Sequence, residues 1–183
     1  MSKVKQLLQN YSRHIAIPWR HDAAPAQRVI FCVYNEQNER ALRARIDEFE
    51  LETARAGHPW YRFDLSNTFA EWLAGQRYAK KYFAQPDLLD NLLPKYQKYL
   101  AQQFRNFVEE EKPEADSVVA ISGVGSLFGL LKVRNMVDEF APLVPGRLLV
   151  FFPGSFENNN YRLLDGYDGW NYLAVPITAE KEI

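Results

Sequence analysis

Four short apolar runs divide the chain: RVIFCVY at 28–34, WYRFDL at 60–65, SVVAIS at 117–122 and RLLVFF at 147–152. The first and third are continuously apolar, as strands buried on both faces require. The fourth is expected to stop at Pro153-Gly154. Between these runs the apolar positions fall at helical spacing. Val4, Leu7, Leu8 and Tyr11 place a short helix over 3–13, followed by a proline-broken loop, IPWRHDAAPAQ. Leu42, Ile46, Phe49 and Ala54 predict a helix with a charged outer face, stopped at Gly57.

Thr68 and Glu71 have capping-box spacing ahead of a short helix. Leu89, Leu92, Leu93, Tyr96, Leu100, Phe104 and Phe107 form a long stripe that predicts helix over 86–111, closed by Lys112-Pro113. Another helix is expected from Leu127 to Phe140, ended by Pro142 and Pro145. The last part, YRLL, DGYDG and WNYLAVPI, reads as strand, turn and strand, a hairpin at a sheet edge.

Strands alternating with helices imply parallel pairing through helical crossovers. The expected fold is therefore a single three-layer α/β domain over 1–183, with a mainly parallel sheet. It carries a helical insertion after the second strand and a C-terminal hairpin.

In such a sheet ligands bind at the rim formed by the carboxyl ends of the strands. That rim should gather Asn35 and Glu36, Asp64 and Ser66, the segment from Ser122 to Ser126, and Pro153 to Phe156. The stretch AISGVGSLFGLLKVRN is where a phosphate would sit, on free amides at a glycine turn with a helix N-terminus behind it. The candidate ligand or anion residues are Gly123, Gly125, Ser126, Gly154 and Asp64. The spacing departs from known phosphate loops. G-x-G-x-x-G would need glycine at Phe128, and G-x-x-x-x-G-K-[ST] is absent. Three readings stay open: a steric corner, a small anion or nucleotide site, and a partner-contact loop. Asp64 could bind a metal or act as a base, but an Asp closing a strand is first a helix cap.

No complete catalytic pattern emerges. Ser122 and Ser126 lack a G-x-S-x-G elbow, and His14, His21 and His58 have no metal-ligand spacing with Cys32 or one another. No catalytic residue, metal or cofactor is assigned. The net charge of -1 provides no global attraction for nucleic acid or membrane. No apolar segment approaches the roughly 20 residues of a membrane span, and the start of the chain has no signal-peptide pattern. A single cysteine in an apolar run points to a reduced, cytoplasmic setting.

Aromatic residues reach 14%, enough for a rich core or a partner surface. Residues 77–105 mix Arg77, Lys80, Lys81, Lys95, Lys98 and Arg105 with Tyr78, Tyr82, Tyr96 and Tyr99. That mixture could stack on bases and contact phosphates, or pack its rings inward under solubilising lysines. Phe156, Tyr161, Tyr167, Trp170 and Tyr172 concentrate in the turn-rich C-terminal part, and are candidate partner contacts. The other reading is that they seal one end of the core.

Two stretches together, AISGVGSLFGLLKVRNMVDEFAPLV and GRLLVFFPGSFENNNYRLLDGYDGWNYLAVPI, resemble the BrxB proteins of BREX phage-defence systems. The earlier RVIFCVYN and WYRFDLS strands fit the same order, so the resemblance covers nearly the whole chain. It rests on element order and short motifs, the GVG and FFPG turns among them, and not on a catalytic signature. It implies a bacterial, cytoplasmic, accessory component of a multi-protein defence system, binding the alkaline-phosphatase-like PglZ component and other BREX components, with DNA reached only indirectly. The alternative is a nucleotide- or nucleic-acid-binding factor using the GVG rim or the basic helices.

Overall fold

The computed structural model describes residues 1–166 and 169–180. In chain order the elements are α1 (Lys3–Ile15), β1 (Val29–Tyr34), α2 (Glu39–Arg43), α3 (Ile46–Arg55), β2 (Trp60–Asp64), α4 (Thr68–Ala74), α5 (Ala79–Ala84), α6 (Leu93–Glu111), β3 (Val118–Ser122), α7 (Val133–Phe140), β4 (Arg147–Glu157), β5 (Asn160–Leu163), β6 (Trp170–Asn171) and β7 (Val175–Ile177). The chain thus forms a mixed α/β structure. Its central sheet runs β2-β3-β4-β1-β7, with each neighbouring pair parallel. β5 pairs antiparallel with the end of β4, and β6 with β5.

The pleat sorts the apolar runs between two cores. Val29, Phe31 and Val33 of β1, with Val119, Ile121, Leu148, Val150 and Phe152, meet α4, α6 and α7. Ile30, Cys32 and Tyr34, with Val118, Ala120, Leu149 and Phe151, meet α1, α2 and α3. The sheet therefore lies between two helical layers, and its continuous apolar runs follow from burial on both faces. On the first side Phe104 of α6 stacks on Phe140 of α7 at 3.9 Å; truncating one such buried ring costs about 3–5 kcal/mol. On the second, the Tyr11 hydroxyl lies 2.6 Å from Thr53 Oγ1, while Thr53 in turn donates to the Phe49 carbonyl. The buried hydroxyls thus satisfy one another.

Several local expectations need correction. The 86–111 stripe is not one helix: Pro86–Asn91 is a 3-10 turn, and α6 starts only at Leu93 with Pro94 in its first turn. Proline is tolerated there because the first amides have no intrahelical acceptor. Thr68 does not cap α4. It is the first helical residue, and its hydroxyl donates to Leu65 O and meets Tyr96 Oη at 2.8 Å. β4 does not stop at Pro153-Gly154 but continues to Glu157. Pro153 is the last residue paired with β1, and from Gly154 the strand pairs with β5 instead. A tight turn at Asn158 and Asn159, both at positive φ, joins β4 to β5. Within the expected C-terminal strand-turn-strand, β5 and β6 pair antiparallel, while β7 leaves them and joins β1 in parallel.

Candidate functional site

The GVG turn closes β3 at the carboxyl rim. Gly123 has φ +74°, and a Cβ there would lie 2.5 Å from Ser66 Oγ, 2.6 Å from Ser66 N and 2.7 Å from Asp64 Oδ1. Only glycine fits, both for its φ and for the approach of the loop after β2. Gly125 is different: its nearest neighbour would be Pro153 Cγ at 3.5 Å, an ordinary contact.

The helix expected from Leu127 is absent at that point. Val124–Leu127 forms a 3-10 turn, and α7 begins only at Val133. The amides of Ser126 and Phe128 donate back to the carbonyls of Gly123 and Gly125. Ser126 Oγ also donates inward, to Gly123 O at 2.7 Å and Leu65 O at 3.0 Å. The turn therefore has neither a helix N-terminus behind it nor these two amides turned outward, the features that hold a phosphate. Its geometry is that of a corner locked to the β2 side.

Around this corner the rim residues form a chain of polar contacts. Tyr34 Oη donates to Glu39, Arg43 Nε pairs with Glu39 at 2.6 Å, and Arg43 Nη2 donates to Ser66 Oγ at 3.0 Å. Ser66 donates to Asp64 Oδ1 through both its hydroxyl, at 2.7 Å, and its amide, at 3.0 Å. Asp64 is thus an Asx turn and not a helix cap. Beside it, Arg62 Nε donates to Ser122 Oγ at 3.1 Å. Asn35 caps its own 3-10 turn through the Gln37 amide.

Partial burial opposes ionisation of Asp64, but the Ser66 bonds and the charges of Arg62 and Arg43 outweigh it and lower its pKa. Burial first, and then the Glu39 carboxylate, push the Tyr34 phenol far up. Both shifts favour the ordinary charge state, a carboxylate at Asp64 and a neutral phenol at Tyr34. Among the described residues no His, Cys, Asp and Glu group has the arrangement of a metal site. Cys32 is fully buried, and burial raises its thiol pKa beyond the reactive range.

The aromatic end is organised around Tyr161. Phe31 meets it edge-on at 4.6 Å, Phe156 lies at 4.6 Å and Trp170 at 5.4 Å, while its hydroxyl donates to Ala174 O at 3.1 Å. Tyr161 is completely buried, so it belongs to the core and is removed from the candidate partner contacts. Phe156, Trp170 and Tyr172 are half-buried against the same core. Tyr167 lies outside the described residues. Gly154 is required where β4 meets β5, since a Cβ there would come within 2.0 Å of Arg162 O.

Sequence periodicity missed the side chains that do project. Phe128 is 46% exposed and Leu173 78% exposed. Phe128 lines a cavity of about 570 Å³ with Leu131, Leu163 and Trp170, and Leu173 lines an adjoining groove with Phe156 and Tyr172; Arg134 borders both. Large exposed apolar side chains outside the core are the signal for such a surface, and only solvent exposure can find them.

The basic stretch 77–105 turns most of its rings inward. Tyr96 is fully buried, and Tyr82 and Tyr99 pack on the core, leaving Tyr78 exposed under Arg77. A run of stacking platforms for bases is therefore not assembled there.

The family model for BREX protein BrxB matches residues 62–176. This chain belongs to the BrxB family. BrxB membership makes it a component of a BREX phage-defence system. The matched region starts within β2 and ends within β7, so it contains the GVG corner and the aromatic end, while β1 and α1 precede it. No curated protein and no solved structure matches the chain. Among the described residues no helix is long and apolar enough to cross a membrane.

Proposed function

We propose that this BrxB protein is a non-catalytic assembly subunit that holds the PglZ component within its BREX system. The observation that carries this reading is the contrast between the two ends of the site. At the rim, the groups capable of chemistry bind one another: Glu39 to Arg43, Asp64 to Ser66 and Ser122 to Arg62. Phe128, in the segment that follows Ser122, and Leu173 stand in solvent beside adjoining grooves. Exposed apolar anchors next to half-buried aromatics supply adhesive area for a protein partner. The partner surface of this reading is therefore Phe128 and Leu173, with Phe156, Trp170 and Tyr172 as their floor.

The test is co-purification of tagged chain with PglZ from cells carrying the complete operon. Wild type should retain PglZ, and Phe128→Ser combined with Leu173→Ser should lose it while melting within a few degrees of wild type. PglZ retained by the double variant removes this surface from the proposal. PglZ absent from the wild-type sample removes the partner. Turnover of a nucleotide by the purified chain would overturn the non-catalytic role.

A further inference from the structure

At the opposite rim, where the strands begin, the chain leaves positive charge uncompensated. Arg28 and Arg147 precede Val29 and Leu148, which pair in register on adjacent parallel strands, so the two guanidinium side chains start side by side. Their protein partners are carbonyls: Arg28 Nη1 donates to Pro145 O at 2.8 Å, and Arg147 Nη2 to Arg20 O at 3.2 Å. Neither is in an ion pair among the described residues. Arg28 Nε is shut away from solvent without a hydrogen-bond partner. Burial, and then the neighbouring charge of Arg28, lower the pKa of Arg147. Two adjacent cations drawn together without a carboxylate are costly, and an incoming anion relieves that cost.

A cleft of about 370 Å³ opens onto Arg147, with Arg28 behind it. Arg147 lies over the Trp19 ring at 4.7 Å, and Trp19 is itself stacked on His58 at 3.7 Å, so the guanidinium is held in place at the cleft wall. Ile17, Pro18 and Val175 add apolar lining, and Ile17 is 59% exposed. Asp22 also lines the cleft, but it pairs with Arg20 at 3.3 Å with both side chains at least 75% exposed. Such a pair is weak and readily exchanged for another carboxylate.

We propose that this cleft binds an acidic peptide segment of a protein partner, with Arg147, backed by Arg28 and flanked by Arg20, receiving a Glu or Asp carboxylate while Ile17 and Pro18 take a neighbouring apolar side chain. The juxtaposition of a fixed guanidinium that has no carboxylate partner among the described residues with exposed apolar groups fits a carboxylate carried on a peptide. This surface is separate from the Phe128 and Leu173 surface and does not depend on it.

The test is a fluorescence-polarisation titration of the full chain with a labelled peptide of alternating Glu and Leu. Binding should weaken about tenfold or more in Arg147→Gln, as loss of a charge-assisted hydrogen bond requires. It should weaken severalfold in Arg20→Gln, whose side chain is 82% exposed and whose loss leaves the fold intact. Arg55→Gln, an exposed arginine on α3, should bind as wild type does. No binding by wild type, or equal affinity for Arg20→Gln, Arg147→Gln and Arg55→Gln, overturns the proposal. Inorganic phosphate that displaces the peptide at equal concentration would make the cleft a phosphate site and overturn the peptide assignment.

Discussion

Gly123 and Ser66 approach so closely that a methyl group on Gly123 would sit 2.5 Å from the Ser66 hydroxyl. This contact ties the end of β3 to the loop after β2. It also connects the corner to the rim network, because the same hydroxyl receives Arg43 and donates to Asp64.

Gly123→Ala should therefore destabilise the chain by about 2–4 kcal/mol, from the strained φ and overpacking together. Gly125→Ala has neither problem and should cost less than about 1 kcal/mol. Urea unfolding of the two variants checks the difference. Equal costs would mean that the corner is not held by the Ser66 contact.

Tyr161→Phe removes only the hydrogen bond to Ala174 O and should cost about 1 kcal/mol. Tyr161→Ala leaves a cavity among Phe31, Phe156 and Trp170 and should cost about 3–5 kcal/mol. Thermal melting of both variants measures this. A Tyr161→Ala chain as stable as wild type would return this ring to the surface.

The Asp64 pKa is lowered on folding, so its ionised form stabilises the fold above the ordinary carboxylate range, and that stabilisation is lost as pH falls through the folded value. Wild type should melt above Asp64→Asn at neutral pH, and the two should converge below about pH 4. Melting curves that stay parallel down to acid pH would exclude a charge contribution from Asp64.

The alkaline side has the opposite sign. Burial raises the phenol pKa values of Tyr11, Tyr34 and Tyr161, and raises that of Tyr172 to about 12. The unfolded chain releases these protons near pH 10 while the folded chain keeps them, so stability should fall steeply above that pH. Tyr34→Phe should make the fall shallower, as read from denaturant midpoints between about pH 9 and 11.

Cys32 has no solvent exposure, and its thiol is held protonated. A thiol reagent should leave the native chain unmodified over hours and react within minutes in denaturant. Rapid native reaction would show that β1, between β4 and β7, opens readily.

The amino-acid sequence alone determined the cores of the first four strands, the two-sided burial of the first and third, the parallel pairing implied by their alternation with helices, and the order of motifs that resembles BrxB. Those features are local: a continuous apolar run or a stripe at helical spacing is written in neighbouring residues, as in RVIFCVY and in the span from Tyr96 to Phe104. Some errors were local too. Pro94 shortened a helix whose apolar stripe ran past it, because periodicity records which face is buried and not where the backbone can start. Other features came only with tertiary structure. β4 passes Pro153 because β5 replaces β1 as its partner there, and β7 finds β1 from far along the chain. Tyr161 and Leu173 sit in the same turn-rich, aromatic segment, yet one is buried and the other projects into solvent. The turn at Gly123 was open in sequence between a steric corner, an anion site and a partner loop, and the approach of Ser66 to it is a tertiary contact; Arg28 and Arg147 likewise became neighbours only when their strands paired. In each of these cases the deciding contact joins residues distant in sequence, and local spacing carries no information about which surfaces will meet.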